Sequence, residues 1–453
     1  MLIKSHLKAH SWRCNMLTIL GFSMVTVFTI LIMTKKVSPI VALTITPIVF
    51  ALIGGFGKGI GDMILEGIQT VASSAALLLF AILFFGILID AGLFDPLIEK
   101  ILSIVKGDPV KIAIGSAVLA MLIALDGDGT TTYMITVSAM LPLYKRIGMN
   151  PMVMATLAML SLSIVSGMTP WGGPATRAIS VLGLDPSDFF VSLLPTMLGG
   201  IACVIFLAFL MGRKERNRIG IVQLEPRHIT KDSSQSYMAA TLESEQLKRP
   251  RLIYLNLFLV ISIMVFIVLG TKHPSVLFLI GFVLALTINY PNVKMQKERI
   301  AEHSGNAITV VLLVFSAGVF AGILSGTKMV DAIAGSLVSI IPSSMGEFFP
   351  IIVALTSIPF TFVLSNDAYY FGMVPIFAEA ASAYGIEPVE IARASIMGQP
   401  VHLMSPLVAS TLLLVSMLKM DLGSFQRFAV KWAVITSLVI TLLAIITGAI
   451  TIL

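Results

Sequence analysis

Apolar residues run along this chain in long blocks. Clear ones lie at Met16–Met33, Pro39–Phe56, Val71–Phe94, Phe190–Met211, Leu252–Gly270, Ser275–Tyr290, Ala307–Ser325 and Phe425–Ile450. A helix rises about 1.5 Å per residue, so roughly 20 apolar residues cross the ~30 Å hydrocarbon core of a bilayer. The blocks therefore predict membrane-spanning helices. Two further regions, 110–188 and 348–423, are apolar but broken by Gly, Pro, Asn and Asp. The one long hydrophilic segment, 212–251, carries Arg213, Lys214, Arg216, Arg218, Arg227, Lys231, Lys248, Arg249 and Arg251, and divides the chain nearly in half.

The two halves match at a nearly constant offset. Pro39 and Pro274 open equivalent runs (274 − 39 = 235), and Phe80 and Phe315 sit in similar spans (315 − 80 = 235). Leu125-Asp-Gly-Asp aligns with Leu364-Ser-Asn-Asp (364 − 125 = 239), and Gly148-Met-Asn-Pro with Gly385-Ile-Glu-Pro (385 − 148 = 237). Met168-Thr-Pro aligns with Met404-Ser-Pro (404 − 168 = 236), and Asp185 with Asp421 (421 − 185 = 236). Six matches in order indicate a duplication, the usual build of secondary transporters. Each half reads as three spans, a hairpin, a broken span and a last span. In the first hairpin, Lys111–Leu125 goes in and Thr130–Leu143 comes out. Arms of about 15 residues, roughly 22 Å of helix, are too short to cross and predict a hairpin that re-enters on one face. Five crossings per half then invert the second copy. The expected fold is an all-α polytopic membrane protein of two inverted repeats, 16–211 and 252–453. Their hairpins fall at 111–143 and 350–384 and their broken spans at 152–184 and 388–418. A basic cytoplasmic linker at 212–251 joins them, and 1–15 forms an N-terminal extension.

Composition agrees. Of 453 residues, 57% are hydrophobic and 12% charged, against about 25% charged in a soluble domain, and the mean hydropathy is +0.97. Too few polar residues remain to cover a water-solvated surface, so lipid is the solvent. The formal net charge of +6 lies between apolar blocks rather than on one face. It reads as the positive-inside bias rather than as a nucleic-acid footprint. With 212–251 inside, the basic loops around residues 35, 100–111, 145 and 294–299 also fall inside, and the termini outside. Lys4, Lys8 and Arg13 precede the first span without a small-residue cleavage site, so that span is read as uncleaved. Cys14 and Cys203 show no ligand spacing.

Polar residues at membrane depth are costly and mark function, and irregular backbone persists there only if buried or lining a wet cavity. Four places combine both. The first hairpin tip, Asp126-Gly-Asp-Gly-Thr-Thr-Thr, offers hard anionic oxygens from Asp126 and Asp128, suited to a divalent or alkali cation or to a proton. Thr130 and Thr131 add hydroxyls and amides at the start of the returning half-helix, where an anion is favoured. The alternative is a turn in which Asp only caps a helix. The second tip, Ser365-Asn-Asp, repeats the carboxylate at Asp367, with Ser365 and Asn366 as oxygen donors or caps. The breaks are Met168-Thr-Pro-Trp-Gly-Gly-Pro, containing Thr169 and Trp171, and Gln399-Pro-Val-His-Leu-Met-Ser-Pro, containing His402 and Ser405. Proline and glycine there free backbone groups for a bound ion or carboxylate. Arg177 suits bidentate pairing with a substrate carboxylate, unless it snorkels or pairs with Asp90 or Asp185. His402 is a proton relay or a hydrogen-bonded core histidine, Trp171 a gate or an interfacial anchor, and Glu379 and Arg393 are read as structural.

Leu125-Asp-Gly-Asp-Gly-Thr-Thr-Thr-Tyr, Met168-Thr-Pro-Trp-Gly-Gly-Pro-Ala-Thr-Arg and Leu364-Ser-Asn-Asp-Ala-Tyr-Tyr-Phe-Gly resemble the citrate–divalent-metal:proton symporters (CitMHS) of the ion transporter superfamily, over nearly the whole chain from Met16. Residues 1–15 look like an extension, with translation starting at Met1 or Met16. The resemblance implies a carrier in the cell membrane rather than an enzyme, one that takes up a magnesium– or calcium–citrate complex with protons. It also implies a homodimer whose transport domain slides as an elevator against a fixed scaffold, and a site made by the hairpin tips and breaks. No cofactor is implied beyond the metal that travels with the substrate. On this reading Thr130, Thr131, Thr169, Trp171, Arg177, Ser365, Asn366, His402 and Ser405 contact substrate, and Asp126, Asp128 and Asp367 handle metal or protons. Chelation lowers the charge of citrate from about −3 to about −1, which makes desolvation far less costly. The competing expectations are a sodium-coupled di- or tricarboxylate carrier, a channel, and an intramembrane aspartyl protease built on the paired aspartates.

Overall fold

The computed structural model of the chain describes residues 2–34, 36–105, 107–221, 246–269, 273–339 and 343–451. The side chains of residues 2–15, and Arg227, Lys231 and Gly270, lie outside what is described.

The first half begins with α1 (Leu2–Met33), α2 (Pro39–Ile53), α3 (Ile60–Asp90) and a short α4 (Asp95–Val105). A hairpin follows, α5 (Pro109–Ile123) and α6 (Gly129–Ile147), then α7 (Pro151–Met168), α8 (Gly173–Leu182) and α9 (Pro186–Ile219). The second half runs α10 (Ile253–Val268), α11 (Pro274–Asn289), α12 (Val293–Gly326) and a short α13 (Met329–Val338). Its hairpin is α14 (Phe349–Val363) with α15 (Asn366–Gly372) and α16 (Val374–Ser382). Next come α17 (Pro388–Ser395), α18 (Gln399–His402), α19 (Ala409–Met417) and α20 (Leu422–Ile446). Both halves run from three helices through a short one, a hairpin and a broken stretch to a last helix, but the second half splits the returning hairpin arm and the helix before the break into shorter pieces. Among the described residues there is no strand, and nine helical stretches are long and apolar enough to cross a membrane.

Helix starts follow from local chemistry. Proline opens α2, α5, α7 and α9, where its fixed φ suits the first turn and its missing N–H is no loss. Just before each, Ser38, Asp108, Asn150 or Asp185 accepts a hydrogen bond from a first-turn amide, satisfying a donor the helix leaves free.

Several elements differ from expectation. The expected loops around 145 and 294–299 lie within α6 and α12, and half of the one expected at 100–111 is the end of α4. Its apolar residues recur at helical spacing and bury Ile101 and Val105, a pattern too short and too polar to register as a span. Helix α9 runs eight residues into the hydrophilic segment, through Arg213, Lys214, Arg216 and Arg218. The descending hairpin arms reach 18 residues (Pro109–Asp126) and 19 residues (Met345–Val363) once their 3-10 turns are included, more than the 15 expected, so length alone does not stop them crossing.

Partners on α9 show what does. At its C-terminal end, Arg216 holds Asp108 at the start of α5, and Arg218 Nη2 donates 2.8 Å to the Gly148 carbonyl just past α6. Both arms thus begin and finish at one end of α9. The tip lies at the α7–α8 break, where Trp171 Nε1 donates to the Leu125 carbonyl (2.7 Å) and Ser166 Oγ to that of Gly127 (3.0 Å). In the second half, Phe349 and Tyr384 bring the two ends of the hairpin together, with ring centroids 6.2 Å apart. Arg393, in the next helix, donates to the carbonyls of Asp188 and Phe189, in the first turn of α9. The two hairpins therefore have their bases near opposite ends of α9, 28 residues (216 − 188) and about 42 Å of helix apart.

The long helices α3 and α12 pack along each other. A Cβ on Gly67 would lie 2.0 Å from the Gly318 carbonyl oxygen. Only glycine permits this backbone contact, which substitution would force apart.

Candidate functional site

A cavity of about 230 Å³ lies between the first hairpin tip, the α7–α8 break and the α3/α12 pair. Asp126, Asp128, Thr131, Trp171, Thr176 and Arg177 supply its polar and aromatic wall on one side. On the other, α3 and α12 present Leu78, Ile82, Val310 and Leu313 at depth, with His303 and Asn306 at one end.

The tip geometry is local in origin. Gly127 has φ +87°, a left-handed conformation that turns the chain between two half-helices at no steric cost. Asp128 caps α6, its Oδ2 accepting from the Thr131 amide and from Thr131 Oγ1, both 2.8 Å. Asp126 Oδ1 accepts from the Asp128 amide at 2.8 Å. The capping role set against function for these aspartates is thus real for Asp128. It does not remove the carboxylate from the cavity, which both aspartates line. Thr130 is exposed and does not line the cavity.

Arg177 lies on α8. Its Nε donates to Asp367 Oδ1 (2.7 Å) and its Nη1 to the Gly173 carbonyl (2.9 Å). The alternative pairing with Asp90 or Asp185 is not made. Asp90 accepts from Arg299 Nη1 (3.4 Å) and faces His303 Nε2 (2.8 Å), while Asp185 lies 3.2 Å from His273 Nε2. Each of these aspartates is taken by another partner, and Arg177 by Asp367. Trp171 is no interfacial anchor. It is buried against Phe85, Phe190 and Phe278, with centroids 6.0, 6.2 and 5.0 Å away.

The remaining candidates gather around the second tip and second break. Ser365 caps α15, accepting from the Ala368 amide at 3.2 Å. Gln399 Nε2 donates to Asn366 Oδ1 (3.3 Å) and to the Tyr370 hydroxyl (2.8 Å). His402 is buried with Nδ1 2.5 Å from the Thr361 carbonyl, and buried Ser405 accepts from the Leu407 amide at 3.3 Å. Thr169 Oγ1 is buried and makes no hydrogen bond among the described residues. None of Thr169, Asn366, His402 and Ser405 lines the cavity. Ser365 and Asp367 line a second one of about 400 Å³, with Lys36, Ser38 and Leu407.

The halves are interleaved at the site. Tip 2 reaches α8 through Asp367, and tip 1 lies against α19, where a Cβ on Gly129 would stand 2.9 Å from Ser410 Oγ. The hairpins also differ from the alignment of their motifs. The N-caps are Asp128 and Ser365 (365 − 128 = 237), which agrees with the flanking offsets of 236 and 237, whereas the motif match gives 239. By cap position Asp367 corresponds to Thr130, so the second tip does not repeat the Asp128 carboxylate. Sequence reasoning also missed His303 and Asn306. Arg299, His303 and Asn306 recur at i, i+4 and i+7, but within a first third of α12 that also carries Lys294, Gln296, Lys297, Glu298 and Glu302, so spacing alone does not single them out.

The fold is that of known transporters. The chain superimposes on the structure described as the Alcanivorax borkumensis YdaH transporter with a TM-score of 0.57 at 13% identity, covering 86% of this chain and 89% of that one. In sequence it is 99% identical over 438 residues to the Bacillus subtilis (strain 168) protein called uncharacterized transporter YraO, covering 97% of this chain and all of that one. It is 54% identical over 435 residues to the citrate transporter of the same organism and 51% identical over 438 to its Mg(2+)/citrate complex secondary transporter. Both matches cover 96% of this chain and all of the relative. The citrate transporter family model, CitMHS, matches residues 16–398. A multi-pass membrane protein, the chain belongs to the CitMHS citrate transporter family.

Proposed function

We propose that this protein is a secondary active carrier that moves citrate as its complex with a divalent metal, Mg²⁺ or Ca²⁺, together with protons. The observation that carries this reading is the pairing of opposite chemistries in one cavity: two carboxylates, Asp126 and Asp128, and one guanidinium, Arg177. Hard divalent cations take oxygen ligands, and a guanidinium fork matches a carboxylate. A complex that is metal on one side and carboxylate on the other uses both. The name of the relative that carries a Mg²⁺/citrate complex supports the same substrate here. Carboxylates at membrane depth are also the usual stations for a coupled proton, a role that falls to Asp126, Asp128 or Asp367.

The two halves act as inverted repeats, a reading supported by hairpin bases near opposite ends of α9. The tips and breaks form a unit that moves as an elevator along the apolar face of α3 and α12, supported by the placement of the cavity between them.

The test is uptake of labelled citrate into proteoliposomes under an imposed pH gradient, with Mg²⁺, Ca²⁺, Ni²⁺ or a chelator. Accumulation is expected to need both the metal and the gradient. Accumulation indifferent to metal overturns the proposal, and dependence on Na⁺ instead of protons favours the sodium-coupled carboxylate carrier.

A further inference from the structure

The Arg177–Asp367 ion pair stands between the two cavities. Arg177 lines the first, with Asp126 and Asp128, and Asp367 lines the second, with Lys36 and Ser38. The side chains keep 21% and 16% of their exposure, so each is open to its own cavity. The pairing is single-pronged. Asp367 Oδ1 takes the Nε proton, Gly173 takes one from Nη1, and Nη2 makes no hydrogen bond among the described residues. A carboxylate that binds guanidinium with both oxygens needs two parallel N–H groups. On Arg177 the Nε edge is occupied by the chain's own carboxylate.

We infer that Asp367 is the resident occupant of the substrate-carboxylate position on Arg177, so that substrate binding and release of Asp367 into the second cavity are one exchange. The inference rests on the functional reading above. Exchange keeps the guanidinium paired throughout, since one anion leaves as another arrives. Asp367 then faces Lys36 across the second cavity, on the connection between α1 and α2. The consequence is selectivity by chemical class. A monocarboxylate gains only what Asp367 already gives, so it displaces nothing. A metal–polycarboxylate complex has further contacts at Asp126 and Asp128 that drive the exchange. Asp367 is thereby a specificity-determining residue whose negative charge works against binding.

Binding to the purified full chain in nanodiscs tests this, with citrate in excess Mg²⁺ as one probe and acetate as the other. Asp367→Asn is expected to bind Mg²⁺–citrate about tenfold tighter or more, because the binding-competent state is no longer held back by a competing partner, and to gain measurable acetate binding. Asp367→Glu should behave as the native chain, and adding Arg177→Gln to Asp367→Asn should abolish the gain. Lys36→Gln, at an exposed position, provides a variant that does not disturb the core. It removes the cation that receives Asp367 and should weaken Mg²⁺–citrate binding severalfold. Native chain that binds citrate, with Asp367→Asn no tighter or Lys36→Gln unchanged, overturns the exchange and leaves the functional reading standing. Native chain that binds no citrate, with or without Mg²⁺, overturns both.

Discussion

The two hairpin tips put an aspartate to opposite uses. At tip 1, Asp128 is the N-cap and both bonds of its carboxylate run to Thr131, three residues away. At tip 2, Ser365 supplies the cap, and Asp367, two residues later, reaches Arg177 on a helix of the other half. A first-turn amide accepts either a hydroxyl or a carboxylate as its cap. Once serine satisfies it, an aspartate in the first turn is free to bond elsewhere. The tip 1 aspartate is therefore bonded within its own helix start and presents its charge to the cavity, while the tip 2 aspartate ties the halves together. Similar motifs in equivalent places need not share a function when the cap is assigned differently.

Loss of the tie at tip 2 should have the largest effect. Arg177→Gln leaves Asp367 without its cation at membrane depth and removes the only guanidinium that lines the first cavity among the described residues. Truncating one member of such a pair costs about 2–5 kcal/mol, so citrate uptake in proteoliposomes is expected to fall by a factor of about 100 or more. Arg177→Lys keeps the charge but not the fork and should recover only part of it. Uptake that survives Arg177→Gln would reduce tip 2's reach across the halves to a structural detail.

A transplant sharpens the contrast from the other side. Asp128→Ser gives tip 1 the cap of tip 2. The cap should hold, with thermal stability within about 0.5 kcal/mol of the native chain, while Asp128→Ala loses about 1 kcal/mol. If the Asp128 carboxylate also serves the cargo, the serine variant should still lose more than about tenfold in metal-dependent uptake despite its intact fold. Equal transport by native chain and serine variant would make Asp128 a cap and nothing more.

Much of this fold was legible in the sequence because lipid forces long apolar runs and because duplicated proline and glycine positions mark where helices start and break. Pro39 and Pro274, or Pro151 and Pro388, are constraints of the backbone and survive divergence. The partners of side chains were less legible. Arg177 meets Asp367 across 190 residues, and no spacing encodes that contact. Arg299, His303 and Asn306 stand in the polar first third of a long helix, where Lys294, Gln296, Lys297, Glu298 and Glu302 surround them and hide which positions face the cavity. The register of tip 2 misled for a similar reason. Matching Asp with Asp is chemically natural, but the backbone matches cap with cap, so the second aspartate sits two positions further along.

The hairpin bases extend the comparison to the smallest effect. Near hairpin 2, the Arg393 guanidinium rests on backbone carbonyls of Asp188, Phe189 and Ala449. At hairpin 1, Asp108 accepts from the Val110 amide (3.0 Å) and from Arg216 Nε (3.0 Å), an ion pair in which the arginine is 40% exposed and well screened. Burial works to raise the Asp108 carboxyl, but Arg216 and the Val110 amide outweigh it and hold the group below the ordinary carboxylate value. A carboxyl with a depressed folded pKa contributes its stability in full above the unfolded value, roughly pH 4, and loses it as pH falls through the folded value. Asp108→Asn should therefore melt slightly below the native chain from pH 7 to about 5, and the gap should close as the pH falls below roughly 4. A gap that stays constant through that range would mean that Asp108 acts at the base of hairpin 1 through its cap bond to Val110, which asparagine keeps in part, and that the charge on Arg216 adds nothing to it.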